Sequence, residues 1–366
     1  MEYEINSWLL WGGLSLGVLF GAVVQRSGFC MSAVVSNLVI MRDYRQFHAF
    51  LAAIIIAVTG TQLLGFSGLV DLSETTYLVP RMNWSGAILG GLIFGFGTIL
   101  AGGCIGRTVV RVGEGNISSF IALLVMGVAA AATMYGPLEP LRVWFYQATV
   151  FEIPTELASI PGLFDIPAVN FISLFAVTGL AIIFITGGNN RSPGLIFAGL
   201  IIGLLIVAGW WLTGNLSRDI FSLHRPASLT FAGPLANSAY ALSRGSILSE
   251  GAIFGMMLLL GTVLGSFIMA VSSGRFRWVK PERSHLCHII IGGLLMGMGA
   301  IIAGGCNIGN GLTGLSVLSV RSMIAVIAIF AGMRMGIYWL SRSENRVAER
   351  TLGEKPAHWY SFMYRT

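Results

Sequence analysis

Four cysteines carry the chemistry this sequence can do: Cys30, Cys104, Cys287 and Cys306. None forms a CxxC pair, which argues against a disulfide scaffold and against a dithiol redox site. Each is a lone thiol, and three stand beside glycines, in SGFC (27–30), AGGCIG (101–106) and AGGCNIGNG (303–311). A buried lone cysteine is commonly an inert small hydrophobe, and three active uses compete with that. A cysteine that transfers sulfur through a persulfide needs a nearby base, and no histidine or carboxylate lies in either Gly-Gly-Cys segment. A tight metal or metalloid site wants clustered thiolates with anionic flanks, whereas Arg26, Arg107 and Arg111 flank the first two cysteine segments. A neutral S–H group is a weak donor, so several in series can pass an anion along without trapping it. Such thiols have to stay protonated, because a thiolate repels an anion.

Asn307 and Asn310 add amide donors beside Cys306, and backbone N–H groups at the Gly103 and Gly305 turns offer stronger ones where a helix begins just beyond. Charge inside a membrane segment is costly and tends to be functional. Arg107 is therefore a candidate for contact with an anion, although it, Arg26 and Arg111 can equally snorkel to an interface. His285 and His288 around Cys287 invite a metal site, but they sit in a basic loop with no acidic partner nearby. No metal or cofactor is expected, and Cys287 is left outside the relay.

The elements that must position these residues are membrane helices. Hydrophobic residues make up 55% of the 366 and charged residues 10%, against about 25% charged in soluble domains. The mean hydropathy is +0.79, and the 48 glycines have no collagen-like period, so they allow close helix contact and interrupted helices. Glu2 and Glu4 stand where a secretory leader would be basic, so the first apolar run reads as a span. Nine stretches approach the roughly 20 residues a crossing needs: 8–28, 47–66, 86–103, 117–134, 166–186, 193–212, 251–271, 289–305 and 323–340. The third and eighth are the shortest. The expected fold is an all-α polytopic membrane protein with some short or interrupted helices.

Arg42 and Arg45, Arg191, the Arg275–Arg283 cluster with Arg277 and Lys280, and the tail with Arg342, Arg346, Arg350, Lys355 and Arg365 follow odd-numbered spans. Asp71, Glu74, Glu139, Glu152, Glu156 and Asp165 follow even-numbered ones, and the loop with Arg218, His224, Arg225 and Arg244 is the exception. Basic loops favour the cytoplasm, which places the N-terminus outside and the C-terminus inside. The net charge of +6 is thus a topology signal, and a nucleic-acid partner is excluded.

Residues 90–104, GGLIFGFGTILAGGC, and 292–306, GGLLMGMGAIIAGGC, agree at ten of fifteen positions. GVLFG at 17–21 and GTVLG at 261–265 are a weaker echo. The chain reads as one transmembrane domain of two related halves, 8–134 and 251–340, joined by 135–250 and followed by a tail, 341–366. With nine spans the 90–104 and 292–306 copies run in opposite directions, the inverted-repeat pattern of transporters.

The three glycine-flanked cysteines, in that order, resemble the YeeE/YedE family of bacterial inner-membrane transporters over most of the chain. The resemblance implies an hourglass-shaped, inverted-repeat protein for thiosulfate uptake. It implies that Cys30, Cys104 and Cys306 line the constriction and relay the ion through S–H contacts. It further implies a positively charged outer entrance and a small cytoplasmic sulfur-carrier partner. Some members are linked to selenium compounds instead. This chain is longer than the typical member, chiefly in 137–165 and 215–248. With no nucleotide-binding loop in the sequence, the driving force is expected to be a gradient or consumption of the product.

Overall fold

A computed structural model of the chain describes residues 7–152, 154–165, 167–187, 192–216, 225–244 and 250–352. Of the residues weighed above, Glu2, Glu4, Ile166, Arg191, Arg218, His224, Lys355 and Arg365 lie outside the described ones.

Among the described residues, nine helices are long and apolar enough to cross a membrane. They are α1 (Ser7–Ser27), α3 (Arg45–Phe66), α4 (Trp84–Leu100), α6 (Ile117–Tyr135), α9 (Ala168–Gly187), α10 (Pro193–Leu216), α12 (Glu250–Ser272), α13 (Arg283–Ile302) and α14 (Val320–Leu352). Shorter helices lie between them: α2 (Met31–Ser36), α5 (Ile105–Gly113), α7 (Glu139–Thr149), α8 (Ile160–Leu163) and α11 (Ala232–Arg244). The chain is an all-α polytopic membrane protein. A two-stranded ribbon, β1 (Arg81–Met82) with β2 (Phe151–Glu152), ties the loop before α4 to the one after α7.

Local chemistry sets the boundaries. The Asn83 side chain accepts from Gly86 N–H at 2.8 Å to start α4, and Asn116 accepts from Ser119 N–H at 3.0 Å to start α6. With 17 residues, α4 is about 25 Å long and falls short of the roughly 30 Å hydrocarbon core. The eighth span is a correction: α13 begins at Arg283 and has 20 residues, enough for a full crossing. His285, Cys287 and His288 therefore belong to its first turns rather than to a loop. His285 Nε2 also has an acidic neighbour, Glu282, at 3.3 Å. No group of three or more potential metal ligands occurs among the described residues.

Glycine faces determine which helices touch, because lipid offers no hydrophobic drive and close van der Waals contact has to bring them together. Gly13 packs on Phe254, Gly17 on Leu258 and Gly21 on Thr262, so α1 and α12 run parallel. Gly199 on Ala49 and Gly203 on Ala53 make α10 parallel to α3. Gly91 on Ala325 and Gly95 on Ile329 do the same for α4 and α14, and Gly293 on Ala122 with Gly297 on Met126 for α13 and α6. The α4–α13 pair is antiparallel: Gly90 meets Gly299 and Ala303, while Gly292 meets Gly97 and Ala101. These directions are the ones nine successive crossings require. The 17–21 and 261–265 echo has a local cause, since Gly17 lies on Gly261 and Gly265 on Val18. The likeness reports two matched faces packed against each other.

Candidate functional site

All three glycine-flanked cysteines occupy the same place in a turn. A helix ends, a glycine takes a left-handed backbone, and the cysteine follows two residues later at the start of a short helix. The glycines are Gly28 (φ 68°), Gly102 (φ 77°) and Gly304 (φ 70°), a region open to glycine at no steric cost. Gly102 N–H donates to Ile99 and Gly103 N–H to Thr98, at 3.2 and 3.0 Å. Gly304 and Gly305 repeat this on Ile301 and Ala300, at 3.2 and 2.8 Å. Both are Schellman caps. The Gly103 and Gly305 N–H groups therefore hold the turns, a correction to their expected role as free donors.

The turns converge. Cys30 Sγ lies 3.9 Å from Cys104 Sγ and 2.9 Å from Ser32 Oγ. The absence of a CxxC motif therefore does not keep the thiols apart: two are paired in space. Cys306 Sγ accepts from Gly309 N–H at 3.5 Å. Cys30, Cys104 and Cys306 are 7%, 2% and 1% exposed, whereas Cys287 is exposed. A side-chain carbon at Gly106 would touch Ile308 and Phe20, and one at Gly311 would touch Met31. The side chains of Ile308, Phe20 and Met31 thus lie beside the short helices that follow Cys104 and Cys306.

The polar candidates divide. Arg107 Nη1 pairs with Glu114 Oε1 at 3.2 Å, with both side chains largely covered, so its charge is already balanced. Arg111 Nη1 donates to the Gly102 carbonyl at 2.9 Å and supports the turn. Asn310 is engaged as well: Nδ2 donates to Gly305 O at 2.9 Å and Oδ1 accepts from Ser322 Oγ at 3.3 Å. Asn307 is different, because it is 1% exposed and neither amide atom has a hydrogen-bond partner among the described residues.

Two residues escaped the sequence reading, Tyr77 and Arg321. Arg321 is the first charge after Cys306; its guanidinium carbon lies 5.8 Å from the centre of the Tyr77 ring. The Tyr77 hydroxyl in turn adjoins Gly309, whose N–H reaches Cys306. Burial holds the Tyr77 phenol far above the usual tyrosine range, so it stays neutral. The turn before Arg321 is a third Schellman cap, with Leu318 N–H on Leu315 O and Ser319 N–H on Gly314 O. Leu318 takes the left-handed position at φ 57°, where the turn before α6 has Gly115. A bulky residue there costs roughly 1–2 kcal/mol. Ile160 N–H on Leu318 O, at 2.8 Å, helps to hold it.

The sequence pattern of the Sulphur transport family matches residues 26–335, a stretch containing all these turns. The chain belongs to the Sulphur transport family. Membership makes it a transporter and not an enzyme. The chain is 31% identical over 324 residues to the thiosulfate transporter TsuA of Escherichia coli, covering 83% of this chain and 87% of that protein. It is 29% identical over 320 residues to the thiosulfate transporter TsuA of Spirochaeta thermophila, covering 84% and 92%. The probable transporter YedE of Salmonella typhimurium is 33% identical over 103 residues, 28% of this chain and 23% of that protein. A YedE protein is thus among the relatives, in line with the resemblance of the cysteine segments.

Proposed function

We propose that this chain takes up thiosulfate across the bacterial inner membrane through a constriction of neutral thiols. The observation that carries the proposal is the convergence of Cys30 and Cys104 to 3.9 Å from two turns that share a left-handed glycine two residues before the cysteine, with Cys306 in a third. The names of two relatives support the choice of substrate. Thiosulfate has a soft terminal sulfur, and weak S–H donors in series can hold it without trapping it. With the N-terminus outside and the C-terminus cytoplasmic, the ion meets Cys306 first and the Cys30–Cys104 pair second. A small sulfur-carrier protein receives it on the cytoplasmic side.

The helix directions support two inverted halves with a changed boundary. The α1–α12 contact matches α10–α3, and α4–α14 matches α13–α6. This equates α1, α3, α4 and α6 with α10, α12, α13 and α14. The second half then starts near Pro193 rather than at residue 251, and α9 is the single connecting span.

The test is growth on thiosulfate as sole sulfur source in cells lacking other uptake routes. Cys30→Ala, Cys104→Ala and Cys306→Ala are expected to fail at equal expression, and Cys287→Ala to grow like wild type. Normal growth of all three would reject the relay.

A further inference from the structure

We infer that Arg321, stacked on Tyr77, is a docking site for a tetrahedral dianion immediately before Cys306. The inference rests on the transport reading above and adds a recognition residue to it. Among the described residues, no hydrogen bond or ion pair to the Arg321 side chain is present, and its Nε is buried without a partner. Of the other covered arginines of the site, Arg107 pairs with Glu114 and Arg111 Nη1 donates to the Gly102 carbonyl, although Arg111 Nε, like Arg321 Nε, is buried without a partner among the described residues. Arg321 as a whole is half-buried, and a partly covered guanidinium without a counter-charge is unfavourable, so the arrangement leaves a place for an anion that arrives from outside the chain.

The surroundings fit a doubly charged oxyanion. The Arg321 guanidinium lies against Gly304, since a side-chain carbon there would stand 2.8 Å from Nη1. Gly304 is two residues before Cys306, so a bound ion would be beside the first thiol. The guanidinium fork matches two oxygens of a tetrahedral anion. Tyr77 orients the fork from below and, being neutral, does not repel the ligand. Arg321 also lies in the first turn of α14, whose positive end adds to the attraction. Asn307, with both amide atoms unpartnered, lies next to Cys306 in sequence and offers donors for the following step. The strained Leu318 turn fixes where Arg321 emerges.

The experiment is uptake of radiolabelled thiosulfate by the purified full chain in proteoliposomes, for wild type, Arg321→Gln, Arg321→Lys and the surface control Arg81→Gln. A parallel arm measures the rise in melting temperature on adding thiosulfate or sulfate against chloride. Arg321→Gln is expected to raise KM at least tenfold, with maximal rate within threefold of wild type, and to lose the dianion-dependent thermal shift. Arg321→Lys keeps charge without the fork and should raise KM by more than threefold but less than the Gln variant does. Arg81→Gln should match wild type. A KM within threefold of wild type for both Arg321 variants, with the thermal shift retained, overturns the docking site. If Arg321→Gln does not fold, the Arg321→Lys KM decides by the same threefold limit. A wild type that transports no thiosulfate refutes the transport reading instead, and the thermal arm still reports whether Arg321 binds the dianion.

Discussion

The sulfurs of Cys30 and Cys104 lie 3.9 Å apart although the residues are 74 positions apart in the chain. A disulfide needs about 2.05 Å, so a shift of about 2 Å in one turn would join them. In a Cys287→Ala background, copper phenanthroline with oxygen is expected to remove two of the three remaining thiols and stop uptake. Dithiothreitol should restore both. Three thiols still open to alkylation after oxidation would mean that the pair does not meet in the membrane.

Arg107 and Glu114 are held as a partly covered ion pair. Removing one partner strands the other, so Glu114→Gln should destabilise the protein by about 1–3 kcal/mol, read as a lower melting temperature. The double variant Arg107→Gln with Glu114→Gln should recover part of that loss and retain uptake. Loss of uptake in a stable double variant would return Arg107 to the list of substrate contacts.

Gly102 and Gly304 serve the same cap in different surroundings. Nothing lies within 4 Å of a side-chain carbon placed on Gly102, whereas one on Gly304 would press on Arg321. Alanine at Gly102 should cost only the left-handed backbone penalty of about 1 kcal/mol. Alanine at Gly304 should cost more and also raise KM. Equal KM values for the two variants would show that Gly304 and Arg321 are independent.

Gly95 and Gly297 hold corresponding positions in the repeat, one against α14 and the other against α6. Each lies on partner backbone, so Gly95→Val and Gly297→Val should both force helices apart, at about 1–3 kcal/mol or more each. Melting temperatures of the purified variants check this. A large loss for one and none for the other would break the correspondence of the two halves.

The spans were legible because crossing a bilayer imposes a length and an apolar composition that survive any packing arrangement. α6 runs from Ile117 to Tyr135 against an expected 117–134. The cysteine turns were legible because a left-handed position selects glycine. The Cys30–Cys104 pairing was not, since no spacing rule joins two separate turns. Leu318 hid its turn by putting leucine where glycine is expected. Arg321 was overlooked because a charge at a helix start reads equally as a topology signal. The proposed correspondence of α1 with α10 left no trace in the sequence because helix packing asks only for small residues on one face.

Under the proposed transport route, the apolar packing of Ile308, Phe20 and Met31 beside the cysteine turns has an energetic consequence for the cell. A resting pore plugged by side chains does not leak protons or chloride down the electrochemical gradient. If these side chains close the proposed route at rest, each passing ion has to displace them, and throughput then follows how often they swing aside rather than how fast solute diffuses to the mouth.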